Sequence, residues 1–262
     1  MIKKNKAKIL NEQFSSVFVS EPFDENLPEF EQRTSNEIND FPINITEISN
    51  LLSKLDKFKS CGNDNIHSFV LKSCATSWAV PLSIIFRKSL DTGEVPDAWL
   101  EANVTPLYKK KGSRLDAVNY RPISLTSVVC KIMEKLIKNS VMKFLDDNEL
   151  IAKHQHGFRS KKSCTTNLLE AIDYATKVLS EKDTMDILFI DFEKAFDKVP
   201  HKRLLLKLSK YGIKGKVLNW FEAFLKQTKS RPGRLNIRLE RYIIWCASRK
   251  CNWSYSLHHL HQ

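Results

Sequence analysis

The segment from Met185 to Pro200 constrains the fold of this 262-residue chain more than any other. Met185 to Ile190 is a short run dominated by large apolar residues, without helical three- and four-residue spacing, and it stops at Asp191. That pattern predicts a buried strand with Asp191 at its tip. A turn into a short helix follows, with Ala195 small, Phe196 large and Pro200 closing it. A carboxylate at the end of a rigid strand suits a hard cation such as Mg²⁺, which takes oxygen donors and brings phosphates with it. An Asp at a strand–helix junction also serves as the N-cap of the next helix. The residues alone leave both roles open.

Charge narrows the partner. The chain carries a net charge of +12 and a pI near 9.4, and lysine and arginine neutralise phosphates with release of counterions. The excess is not evenly spread. Glu21 to Asp56 is acidic, with nine carboxylates against Arg33 and Lys54. Positive charge gathers instead at Lys109–Lys111, Arg114, Arg121, Arg159, Lys161 and Lys162. Such segregation points to a nucleic-acid surface, the bland alternative being a uniformly basic exterior. No apolar run approaches a membrane span and no signal peptide opens the sequence, so no membrane partner is expected. The six cysteines are scattered, with no Cys-x-x-Cys pair. They read as reduced, packed side chains rather than disulfides or zinc ligands, and the location is left open, intracellular (nuclear or cytoplasmic) if the chain is expressed.

Along the chain, Ile9, Leu10, Phe14, Val17 and Phe18 predict an amphipathic helix within residues 1–20, and Pro22, Pro28 and Pro42 mark an acidic linker. Thr46 is placed as the cap of a helix bearing Ile48, Leu51, Leu52 and Leu55. One helix follows through Phe69, Val70 and Cys74, and another from Pro81 to near Gly93. Ala102 to Gly112 reads as a strand running into a basic loop. Pro122 keeps Arg121 extended, so its guanidinium projects from a strand end. Val128 to Leu145 is a long helix, apolar at Val129, Ile132, Met133, Leu136, Ile137, Val141 and Phe144. Thr165 to Leu179 forms another, expected to pack behind the strand at 185–190. Two more helices cover 201–211 and 217–225, with Trp220 and Phe221 as core.

Asp191-Phe-Glu-Lys-Ala-Phe-Asp197 resembles motif A of the reverse transcriptases of non-LTR (LINE-type, jockey-like) retrotransposons. Lys59-Ser-Cys-Gly-Asn-Asp-Asn-Ile66, Lys109-Lys-Lys-Gly112, Asn119-Tyr-Arg-Pro-Ile-Ser-Leu125 and His154-Gln-His-Gly-Phe-Arg159 are similar to further segments of that family, in its order. The resemblance covers most of residues 1–230. It implies an α/β fold, an incomplete right-hand polymerase of fingers plus part of a palm. Residues 1–90 would be a helical N-terminal extension with the acidic linker, and 91–235 the fingers and partial palm. It further implies RNA-directed DNA polymerisation with Mg²⁺, or Mn²⁺ in its place, on an RNA template, a DNA primer and deoxynucleoside triphosphates. Asp191 would be the catalytic metal ligand. Phe196, Phe192, Arg121, Lys109 and Lys110 would contact the nucleotide, and Lys111, Arg159, Gln155 and Gly157 the nucleic acid.

The resemblance stops after residue 235. The family's Asp-Asp pair and its G-V-P-Q-G-S loop are missing from the written frame; Asp146-Asp147 precedes motif A and ends a helix, so it is no substitute. One permitted coding of Glu240 to Gln262, with its first base dropped, reads N-V-I-S-S-G-V-P-Q-G-S-V-I-G-P-I-V-F-I-I-F-I. Residues 236–262 therefore read as an out-of-frame tail, and its Cys and His residues as frame artefacts. With Asp191 alone, the expected reading is a reverse transcriptase domain inactive as this chain. The alternatives are a non-catalytic RNA- or DNA-binding remnant and a decayed fragment with no selected role.

Overall fold

The computed structural model describes residues 2–16, 27–190 and 198–229. Among these, helices dominate and the only sheet is a two-stranded hairpin. The helices are α1 (Ile2–Ser15), α2 (Ile45–Ser53), α3 (Ser68–Ser73), α4 (Ala75–Thr92) and α5 (Asp97–Leu100). Strands β1 (Ala102–Tyr108) and β2 (Tyr120–Thr126) follow, then α6 (Val128–Asp147), α7 (Cys164–Ser180), α8 (His201–Lys210) and α9 (Gly215–Lys229). No helix among the described residues is long and apolar enough to cross a membrane.

One core joins α2, α4, α6, α8 and α9. Ile48, Leu52, Phe86, Leu90, Met133, Leu136, Val217, Trp220, Phe221 and Phe224 are all buried in it. Each fully buried side chain of this size contributes about 1.5–3 kcal/mol. The apolar stripe expected on α6 is buried from Val129 to Val141, with Phe144 only partly buried and Leu145 buried beside it, and the helix starts where Ser127 accepts the Cys130 N–H at 3.2 Å. Trp220 and Phe224 stack at 5.0 Å between centroids, the core role expected for this helix.

Four sequence expectations are corrected locally. Asn44, not Thr46, caps α2, its Oδ1 accepting the Thr46 N–H at 2.8 Å. Helix α4 begins at Ala75, six residues before Pro81. Proline there removes one N–H bond and crowds the carbonyl four residues back, and burial of Ala79, Leu82, Phe86 and Leu90 offsets that cost. The described part of the presumed linker is docked. Ile38 bridges Ile213 in parallel, its N–H donating to Gly212 O at 2.8 Å, and Phe41 is buried. Composition misses such a strap because main-chain groups and a single aromatic anchor hold it. The four described cysteines are unbridged, but only Cys130 is buried; Cys74 and Cys164 are exposed.

The largest departure concerns the segment before Asp191. Residues 185–190 form no strand, and Leu188 and Phe189 are 67% and 76% exposed. Helix α7 forms, but it buries none of its residues and leaves Leu168, Leu169, Ile172 and Leu179 exposed. A strand needs ladder partners for its backbone groups, and the one hairpin among the described residues does not pair with 185–190. Without that sheet the predicted back face of α7 has nothing to cover. Residues 191–197, with Asp191, Phe192 and Phe196, and the tail from 230 onward lie outside the described residues.

Candidate nucleic-acid interface

The hairpin organises the basic surface. β1 and β2 pair antiparallel, with Leu107 opposite Arg121 and Thr105 opposite Ile123. Directly paired residues share a face, and faces alternate along a strand. Arg121, Ile123, Leu107 and Thr105 therefore line one face, while Val104 and Tyr120 line the other. Phe14 and Leu10 of α1 pack on Val104 and Tyr120. The opposite face stays open: Arg121 is exposed, with Leu107 at 52% and Ile123 at 41%.

The loop between the strands is tightly built. Lys109 N donates to Asn119 O at 2.8 Å, Asn119 Nδ2 to Ser113 O at 2.8 Å, and Tyr120 OH to Arg114 O at 2.9 Å. The Arg114 guanidinium lies 5.3 Å from the Tyr108 ring centre, a distance suited to cation–π attraction. Gly112 adopts φ +79°, and a Cβ there would sit 2.5 Å from Asn119 Nδ2; the turn needs a residue without a side chain. Lys109 is spent on the loop, its Nζ donating to Val118 O at 2.7 Å. Lys110, Lys111 and Arg121 are exposed and have no ion pair or hydrogen bond from their side chains among the described residues. Of the predicted phosphate-gripping cations, the geometry thus brings Lys110, Lys111 and Arg121 to one open hairpin, while Lys109, also exposed, spends a hydrogen bond on the loop.

The other predicted contacts sit apart from the hairpin, on the turn between α6 and α7. Arg159 is committed to Asp146 at the end of α6, Nη2 to Oδ1 at 2.6 Å. Asp147 pairs with Lys143 at 2.6 Å. Both acids of the Asp-Asp pair are thus local helix-end partners. Gln155 is buried with its Nε2 unpartnered, and Gly157 is exposed. Phe158, not the glycine, takes the left-handed backbone, with φ 55°.

A second basic feature was not anticipated. A cleft of about 450 Å³ opens between the end of α2 and α6, with Leu51 and Ile132 on its lining and Lys54, Lys59, Lys131, Lys135 and Lys138 around it. Lys131 donates to Thr126 O at 2.9 Å. Lys54, Lys59 and Lys135 have no ion pair or hydrogen bond from their side chains among the described residues. The signal was legible: Lys131, Lys135 and Lys138 fall four and three apart on α6, one helical face.

No group of three His, Cys, Asp or Glu side chains among the described residues converges as a metal site. A lone carboxylate is a poor donor set for a pair of divalent ions.

The sequence profile of the family described as reverse transcriptase (RNA-dependent DNA polymerase) matches residues 108–249. The chain is 32% identical over 165 residues to the RNA-directed DNA polymerase from mobile element jockey of Drosophila melanogaster, covering 63% of this chain and 18% of that protein. It is 29% identical over 178 residues to the probable RNA-directed DNA polymerase from transposon BS of the same species, covering 66% and 20%. A retrovirus-related Pol polyprotein from type-1 retrotransposable element R2 of Popillia japonica is 24% identical over 136 residues. The chain spans about a fifth of the length of these relatives.

Proposed function

The chain belongs to the reverse transcriptase family, as a domain of the non-LTR retrotransposon kind, and from that premise we propose that it supplies the fingers that grip template, primer and nucleotide for RNA-directed DNA synthesis. One observation carries the reading: the hairpin face opposite α1 is open and bears Arg121, with unpaired Lys110 and Lys111 at its tip. Arg121 offers a planar fork to phosphate oxygens, and the two lysines supply mobile point charges. Exposed Leu107 and Ile123 beside Arg121 give a base or sugar an apolar surface to lie on.

The lysine-ringed cleft extends the grip toward the RNA backbone. Its lysines outnumber Asp56 and Glu134 on the same walls, so the cleft favours an anion. Asp191, with Phe192 and Phe196 beside it in sequence, would hold Mg²⁺ or Mn²⁺ next to the nucleotide. An ion there would supply Lewis-acid activation of the primer hydroxyl.

Photo-crosslinking tests the grip. An RNA strand carrying 4-thiouridine should label residues of the hairpin and of α6. Labels confined to α8 and α9 would contradict it.

A further inference from the structure

The turn His154–Arg159 is held to α7 by polar contacts rather than by a core. Both imidazoles meet one carboxylate: His154 Nδ1 contacts Glu170 Oε1, and His156 Nε2 contacts Glu170 Oε2 at 2.5 Å. His156 Nδ1 lies 2.8 Å from Thr166 Oγ1. Thr166 in turn closes the capping box of α7 with Ser163. Thr166 and Glu170 are four residues apart, one above the other on a single face of the helix. The His156 side chain is only 6% exposed, whereas those of Glu170 and His154 are open to solvent at 43% and 65%. Since α7 buries none of its residues, this cluster is what fixes the turn against it. The hydrogen bonds from His154, then from His156, hold the Glu170 carboxyl below its ordinary range despite a small opposing effect of burial.

We propose that Glu170 is a positioning residue for the nucleic-acid-facing turn, each of its carboxylate oxygens accepting an N–H from one imidazole and so fixing where Gln155, Gly157 and Arg159 stand. The proton arrangement follows from the atoms involved. A carboxylate only accepts, so His154 donates through Nδ1 and His156 through Nε2. The protons facing Glu170 thus sit on opposite nitrogens of the two rings, Nδ1 of His154 and Nε2 of His156, while the Thr166 hydroxyl, which donates to Ser163 O at 2.9 Å, stands 2.8 Å from His156 Nδ1. Glutamine at 170 has one acceptor and one donor group. It can keep one ring as it is but obliges the other to turn its lone pair inward. Alanine holds neither ring. The positioning role rests on the function proposed above; the proton arrangement does not.

Two readouts separate these claims. Two-bond ¹H–¹⁵N spectra of the ¹⁵N-histidine-labelled full chain at pH 7.5 should show His154 protonated at Nδ1 and His156 at Nε2, with one ring switching in Glu170→Gln. Affinity for a single-stranded RNA should fall about tenfold in Glu170→Gln and Glu170→Ala, as for loss of a charge-assisted hydrogen bond, with the melting midpoint kept in Glu170→Gln, which still offers each ring a hydrogen-bond partner. His154→Gln, which leaves the buried ring in place, should lose less. Identical histidine spectra in wild type and Glu170→Gln would overturn the proposal. So would a tautomer switch with unchanged RNA affinity. If the wild-type chain binds no RNA, the function falls and the positioning role with it, while the opposite tautomers still report the clasp.

Discussion

Trp220 on α9 donates its indole N–H to Ser89 Oγ on α4 at 3.0 Å, and Ser89 passes its own proton to Glu94 O at 2.6 Å. Both side chains are buried, Trp220 at 0% and Ser89 at 4% exposure. The relay is thus the polar seam of an apolar core. Ser89→Ala would strand a buried indole N–H and a carbonyl, and should destabilise the fold by about 1–3 kcal/mol. Urea unfolding followed by tryptophan fluorescence measures this; a loss within error would show that the seam is not needed.

Gly62 of the Lys59–Ile66 loop abuts the start of α6. A Cβ there would stand 2.5 Å from Ser127 N and 2.6 Å from Thr126 C. Both are backbone atoms, and the Ser127 side chain already caps α6. Gly62→Ala must push the loop away or distort the cap, and overpacking of this kind destabilises by about 1–3 kcal/mol. Since the loop also lines the lysine cleft, RNA affinity should weaken with it. A variant as stable as wild type would show that the loop yields freely.

Arg87, Lys216, Asp40 and Asp91 form a network joining α4, α9 and the strap. Arg87 Nη2 reaches Asp91 at 2.5 Å and Asp40 at 2.9 Å, and Lys216 reaches Asp91 at 2.6 Å. The bonds from Arg87, then Lys216, hold the Asp91 carboxyl down at about 2. Burial works against ionisation of Asp40, but Arg87 and Lys216 outweigh it and keep that carboxyl below its usual range too. A depressed folded-state pKa stabilises above the unfolded value of about 3.9 and loses that contribution as pH falls through the folded one. Wild type should therefore exceed Asp91→Asn in stability at pH 6, and the gap should close between about pH 4 and pH 2. A gap independent of pH would exclude the network as its source.

The tail prediction is read at the level of the gene. Sequencing the coding DNA across codons 229–262 should place a shift within about codons 229–237, after which the alternative frame reads G-V-P-Q-G-S. Codons incompatible with that reading would remove the frameshift account.

What was legible followed from local physics. The stripe of α6, the strand opening at Ala102 and the Trp220 helix each carry their own pattern, and each forms where expected. Pro81 and Thr46 misled because caps and helix starts are set by individual hydrogen bonds rather than by periodicity. Met185–Ile190 misled for another reason. An apolar run of strand length needs neighbouring strands, and its own sequence says nothing of whether they are in place. In the candidate site, chemistry of residue types singled out Arg121, Lys110 and Lys111. It could not tell that Lys109 and Arg159 would be committed to Val118 O and Asp146.

The central claim is that the open hairpin grips nucleic-acid phosphates, and salt dependence tests it most directly. Affinity for a single-stranded RNA should be measured from low to moderate salt for the full chain and for Lys110→Ala/Lys111→Ala/Arg121→Ala. Each phosphate contact to a single strand adds about 0.7 to the slope of log affinity against log salt, so losing three should flatten it by about 2. These side chains make no hydrogen bond or ion pair among the described residues, and melting should not change. Parallel salt lines for the two proteins, with equal affinity, would contradict the account.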